Sequence, residues 1–127
     1  MKSKFKVMLA MLAGTALGAT SIQVLQAKWR PKVYAITELK TENVTGLKTY
    51  LAKEREVIGA AGGIIKSQRG GAYPIDGAAP PAGVAIVEWD SLDDARAFYG
   101  SPAWADLAAM RGQVQTMVRQ YAVEERD

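Results

Sequence analysis

Ser91 to Leu107 reads SLDDARAFYGSPAWADL, a stretch that holds two helix beginnings ten residues apart. Ser91 fits a helix N-cap, where its hydroxyl can accept a backbone N–H from the first turn. Asp93 and Asp94 follow where carboxylates meet the positive end of the helix dipole. Leu92, Ala95, Phe98 and Tyr99 then form one inward stripe, and Gly100 breaks it. Ser101-Pro102 starts a second helix, with serine as cap and proline at the first helical position, where a missing N–H removes no bond. Trp104, Leu107, Ala108 and Arg111 fall on one face of that segment. The break re-aims the chain, so that a bent helical pair can cover the end of a sheet as well as its face.

Strands flank this unit on both sides. VAIVEW (Val84 to Trp89) precedes it and TMVRQYAVE (Thr116 to Glu124) follows it, each rich in β-branched and aromatic residues. Further upstream, VYAITEL (Val33 to Leu39) alternates Val33, Ala35, Thr37 and Leu39 on one side with Tyr34, Ile36 and Glu38 on the other. Leu47, Tyr50, Leu51, Glu54, Val57 and Ile58 recur near a 3.6 period, which predicts an amphipathic helix over Val44 to Ala60, capped by Asn43 and ended by Gly62-Gly63. IIKSQRG (Ile64 to Gly70) reads as another strand. The glycines and prolines of GGAYPIDGAAPPAG, residues 70 to 83, then block regular structure across a long surface loop, either a solvated hairpin connection or a lid over a pocket.

The resulting order, β-α-β-β-α-β, is an α+β class, ferredoxin-like arrangement: a four-stranded antiparallel sheet with helices on one face. Tyr34, Ile36, Val84 and Ile86 would line the other face, and exposed apolar surface is unfavourable by roughly 25 cal/mol per Å². A second copy pressing the same face against it is the symmetric solution, so a homodimer is expected.

The amino-terminal residues follow a different logic. Lys2, Lys4 and Lys6 precede 13 uncharged residues from Val7 to Ala19, the basic and apolar regions of a secretory signal. The run falls short of the roughly 20 residues of a spanning helix. Residues 1–27 are therefore expected to be a signal peptide, or an N-terminal membrane anchor if uncleaved, and residues 28–127 the working domain. Export to the periplasm or the medium follows from this reading. The segment holds three of the 16 basic residues and none of the 13 acidic ones, so the net charge of +3 belongs to it and the remainder balances at 13 against 13. Nucleic acid is not an expected partner of a neutral domain. Without cysteine, no disulfide can staple the fold in an oxidising compartment, and burial alone must hold it.

The segments ELKTENVTGLKTYLAKEREVIGAAGGIIKSQRGG and VEWDSLDDARAFYGSPAWADL resemble the bacterial family catalogued as domain of unknown function 1330, within the dimeric α/β-barrel superfamily. The likeness runs over about residues 32 to 124, and ARAFYGSPAW (Ala95 to Trp104) is its most specific piece. The resemblance implies a ferredoxin-like subunit whose sheet packs on a partner's sheet. It implies no reaction and no cofactor, although the wider superfamily includes cofactor-free monooxygenases, isomerases and haem-using enzymes. Relatives of this kind often carry histidine just before the Gly-Gly after the first helix. Here Ala61 stands there and the chain contains no histidine, which excludes an imidazole base, a histidine-ligated haem and ordinary zinc or copper sites.

Several residues could still carry chemistry. If the first and third strands run parallel at the centre, Tyr34 stands beside Val84, Ile36 beside Ile86 and Glu38 beside Glu88. Two carboxylates about 4.8 Å apart could share a proton and act in acid-base catalysis. Alternatively both are solvated or bonded to Arg69, Arg111 or Arg119. Arg111 faces inward and could bind an anion, or pair with a nearby glutamate over a buried stem. Tyr34, Tyr50, Tyr99, Trp89 and Trp104 could line a site for a small apolar or aromatic ligand, or form core and interface. No metal site is expected from Glu38 and Glu88 alone. Two functions remain: a small-molecule-binding or interaction module in which Tyr34, Arg111, Tyr99 and Trp104 touch the ligand, and a cofactor-independent isomerase or monooxygenase using Glu38 and Glu88.

Overall fold

The computed structural model describes residues 30–126. The segment expected to direct export, residues 1–27, lies outside them. Eight elements follow in order: β1 (Val33–Thr41), α1 (Leu47–Ala60), β2 (Ile64–Gly71), β3 (Gly83–Trp89), α2 (Leu92–Tyr99), α3 (Pro102–Ala105), α4 (Ala108–Val114) and β4 (Gln115–Glu124). The strands form one sheet in the order β2-β3-β1-β4, and every neighbouring pair is antiparallel. This is the α+β, ferredoxin-like arrangement read from the sequence. No helix among the described residues is long and apolar enough to cross a membrane.

The restart after Gly100 is built as its residues dictate. Ser91 Oγ accepts the Asp94 N–H at 3.1 Å, and Ser101 Oγ accepts the Trp104 N–H at 3.4 Å with Pro102 in the first turn of α3. The first helix departs from expectation at its start. It begins at Leu47 rather than Val44, because Gly46 takes a left-handed conformation (φ 81°) at the cap. Asn43 instead accepts the Thr45 N–H at 2.9 Å and shapes the approach. At the other end, Gly62 (φ 95°) turns the chain and the Gly63 N–H reaches back to the Ile58 carbonyl at 3.0 Å.

The core lies between the sheet and the helices. Val33, Ala35, Val87 and Trp89 from the sheet meet Ile58, Ala95 and Phe98 from the helices. The Trp89 and Phe98 rings stack at 4.9 Å, and Tyr99 stands edge-on to both. A second cluster of Tyr50, Leu107 and Val114 closes the end of the sheet, which is the place the bent helical segment serves.

The strand register corrects one expectation. β1 and β3 are antiparallel neighbours, with Tyr34 opposite Glu88, Ile36 opposite Ile86 and Glu38 opposite Val84. The crossover through α1 leaves β2 parallel to β1 with a gap between them, and the return of the chain after β2 fills that gap with a strand of opposite direction. Glu38 and Glu88 therefore sit four residues apart along the sheet, about 13 Å at ordinary strand rise. They do not form a carboxylate pair.

A bulge in the β1–β4 ladder matters more for the site. Glu38 pairs with Arg119, but Leu39 pairs with Met117, so Val118 is the extra residue. Arg119, Tyr121 and Val123 point to the bare face. Beyond the bulge the alternation is reset, and Met117 and Gln115 turn with Leu39 and Thr41 towards the helices.

Candidate functional site

Between the sheet and the helices lies a partly open cleft lined by Glu54 from α1, Ile65 and Gln68 from β2, Thr37 from β1, Arg111 from α4 and Gln115 from β4, among other residues. Its free space is about 10 Å³, room for a single water. Tyr99, Trp104 and Met117 contribute apolar wall.

One polar chain runs along the α1 side. Tyr50 and Glu54 stand four residues apart on the buried stripe of α1, and the Tyr50 hydroxyl donates to Glu54 Oε2 at 2.7 Å. Gln68 Nε2 donates to Glu54 Oε1 at 3.2 Å and to the Leu51 carbonyl at 2.7 Å. Arg55 Nη1 donates to Gln68 Oε1 at 2.6 Å from the surface. Both oxygens of Glu54 are thus engaged. Burial first, and then the Glu54 charge and the bond to it, push the Tyr50 phenol far above its ordinary value; the nearby Arg111 guanidinium opposes the rise.

Arg111, near enough to the Tyr50 hydroxyl to oppose that rise, is not paired with a carboxylate in this way. The Arg111 guanidinium lies over the Trp104 ring at 4.1 Å, a cation–π contact. Its Nη1 is buried without a hydrogen-bond partner, and no carboxylate among the described residues lies within ion-pair distance of it. Gln115 is 5 % exposed, and its Oε1 is likewise buried and unpartnered. Native interiors satisfy most such atoms, and the cleft has room for a water that could do so. The Trp89 indole N–H also lacks a partner, although it lies near enough to the Tyr99 phenol to counter part of the rise that burial causes there.

The bare face carries the other residues singled out from the sequence. Glu38, 6 % exposed, accepts from Arg119 Nε and from the Tyr121 hydroxyl, both at 2.9 Å. Those two bonds, Arg119 first, hold its carboxyl below the usual range, and Glu38 in turn raises Tyr121. Glu88 lies between Lys32 and Lys66, each at 3.4 Å. Tyr34 donates to Glu125 at 3.2 Å. Each carboxylate is neutralised by its own cations, and a proton shared between Glu38 and Glu88 has no geometric basis.

Of the six residues expected to do the work, Arg111, Tyr99 and Trp104 come together in the cleft, whereas Tyr34, Glu38 and Glu88 lie on the far side of the sheet. Sequence reasoning missed Glu54, Gln68, Gln115 and Thr37. Glu54 left a signal, a carboxylate on an otherwise apolar helical stripe. Gln115 left none, because only the bulge at Val118 turns it inward.

Comparison with known proteins adds fold but no chemistry. No curated protein matches the chain. The crystal structure of methylated RPA0582 protein is similar with a TM-score of 0.58 and 11 % identity, over 84 % of this chain and 91 % of that one. The structure of RPA0582 from Rhodopseudomonas palustris, a protein of unknown function, is similar with a TM-score of 0.53 and 13 % identity, over 84 % and 93 %. At such identity the likeness speaks for the fold alone. The family described as Domain of unknown function (DUF1330) matches residues 32–125, nearly the whole of the sheet and its helices, and the chain belongs to that family.

Proposed function

We propose that this chain is an exported homodimer that binds a small organic molecule in the cleft between its sheet and its helices. The observation that carries the reading is the partly open cleft itself, where Arg111 and Gln115, each with a buried unpartnered atom, stand beside aromatic and aliphatic walls. Small-molecule sites are concave and mainly apolar, with a few convergent polar groups that fix orientation. Export rests on Lys2, Lys4 and Lys6 before the uncharged run from Val7 to Ala19. Dimerisation rests on the bare face, where Tyr34, Ile36, Val84 and Ile86 are joined by Ile64, Tyr121 and Val123, and Ile64 is 51 % exposed. A cofactor-independent reaction at Glu38 and Glu88 loses its support, since the two are apart and individually neutralised.

A thermal-shift and NMR screen of small polar aromatics against the full chain tests the binding reading. Hits should perturb Arg111, Gln115 and Trp104, and an Arg111→Ala variant should lose them. Hits that leave those three signals unmoved would remove the cleft from consideration. Light scattering at micromolar concentration should give twice the chain mass, and a monomer would refute the dimer.

A further inference from the structure

The two edges of the sheet are finished differently. At the β2 edge the register with β3 shifts twice, Lys66 stands at the first shift, and Ser67 Oγ takes the Gly70 N–H at 2.9 Å. Lysine and bulges of this kind keep an edge from pairing with other chains. The β4 edge has its bulge at Val118. Beyond it, Arg119 to Glu124 pair with β1 in unbroken register, with no proline, glycine or lysine among them.

Backbone geometry fixes which groups that edge offers. The Glu125 N–H donates to the Lys32 carbonyl at 2.8 Å, one step beyond the opposed pair Val33 and Glu124. Opposed residues alternate between pairs that exchange hydrogen bonds and pairs that do not, so Val123, Tyr121 and Arg119 turn their N–H and C=O towards β1. Those of Gln120, Ala122 and Glu124 turn outwards, and no described strand lies beyond β4. On the helix side an open groove lined by Ala35, Ala95 and Ala122, among others, leaves the strand accessible.

A second copy answers those groups with the same ones. A two-fold axis through Ala122, perpendicular to the sheet, sets β4 antiparallel to its own image. Ala122 then stands opposite Ala122, and Gln120 opposite Glu124, as pairs that exchange both backbone bonds. On the bare face Tyr121 falls opposite Val123 and Arg119 opposite Glu125, aromatic with β-branched and cation with anion. Arg119 donates through Nε to Glu38, and its terminal nitrogens have no hydrogen-bond partner among the described residues, so they remain for the second carboxylate. Sliding the register by two residues either way puts Arg119 opposite Val123 or Tyr121 opposite Glu125, and the match is lost.

We propose that Arg119–Glu124 is a strand-addition surface whose occupant is the same edge of a second copy, joined antiparallel about Ala122 into one continuous sheet. This contact goes beyond the bare-face dimer and does not depend on it. Its short length sets it at about 0.1–1 mM, above the micromolar range of the face.

Amide hydrogen exchange followed by NMR in the full chain tests this. Between about 50 μM and about 1 mM the Gln120, Ala122 and Glu124 amides should slow at least about twofold, while the Tyr73 amide in the exposed loop stays unchanged. Ala122→Pro deletes an outward N–H without touching the β1 ladder and should weaken the association at least about tenfold in sedimentation equilibrium. Glu125→Arg, which sets like charges opposite each other at the surface, should weaken it about tenfold as well. If circular dichroism shows Ala122→Pro unfolded, Glu125→Arg and the wild-type exchange decide alone. In an Ile86→Lys chain, whose bare-face contact is broken, the edge should still join two monomers. Exchange at the three amides that ignores concentration up to about 1 mM, or association that survives a folded edge variant unchanged, would overturn the edge pairing and leave the bare-face dimer standing.

Discussion

On the covered side of the sheet, Trp89 stacks on Phe98 and a salt-neutral cleft leaves Arg111 and Gln115 with unanswered atoms. On the bare side, Ile64, Tyr121 and Val123 stand open to solvent while Glu38 and Glu88 are each closed off by cations. The first side has shape without full polar satisfaction, and the second has polar satisfaction without cover. The contrast teaches that the two faces need different occupants. A ligand can complete hydrogen bonds in a cleft, whereas only a broad apolar surface can complete a sheet face. It also bears on a carboxylate that looks catalytic in the sequence: Glu38 accepts from Arg119 and Tyr121, and the bonds that lower its pKa make it a weaker base.

Substitutions can break or sharpen that contrast. The largest effect is expected at Trp89, 2 % exposed, where Trp89→Ala should destabilise the fold by about 3–5 kcal/mol in chemical denaturation. Ile36→Ala on the bare face should cost far less in a sample held monomeric by dilution; equal losses would mean that the two faces are not distinct. Next comes Ile86→Lys, which places an unpaired charge at the centre of the bare face. It should weaken self-association by about a hundredfold in light scattering while the circular dichroism spectrum is kept. An unchanged dimer would show that the copies meet elsewhere. Tyr50→Phe follows, since it removes the hydroxyl bonded to Glu54 and leaves that carboxylate underbonded in the cleft wall, for a loss of about 1–3 kcal/mol.

The smallest effect concerns pH on the bare face. Arg119, and then Tyr121, lower the Glu38 carboxyl below its unfolded value, so its contribution is present above that value and is lost as the pH falls through the folded one. Wild type should therefore be more stable than Glu38→Gln near neutrality, and the gap in melting temperature should close on acidification from about pH 6 to about pH 3. A gap that widens in acid would reverse the assignment.

How far the sequence reaches differs between these same regions. The helix restart was legible because caps are local: Ser91 and Ser101 act within three residues of themselves, and Pro102 needs no distant partner. The inward stripes of α1 and α2 were legible because periodicity alone sorts Tyr50, Ile58, Ala95 and Phe98 to the buried side. The start of α1 was not, since Asn43 spends its side chain on the Thr45 N–H and the cap falls on Gly46, whose left-handed conformation no side-chain pattern marks.

By itself the sequence determined the element order, the two-faced sheet and the inward stripes that carry Tyr99 before Gly100 and Trp104 and Arg111 after it, because each depends on spacing along a single segment. Tertiary structure decided which strands run against each other, and so separated Glu38 from Glu88; it also decided, through one extra residue at Val118, that Gln115 and Met117 face the helices. Pairing direction and register depend on contacts between residues 44 to 91 positions apart, and a slip of one residue exchanges the faces of a strand without altering its pattern.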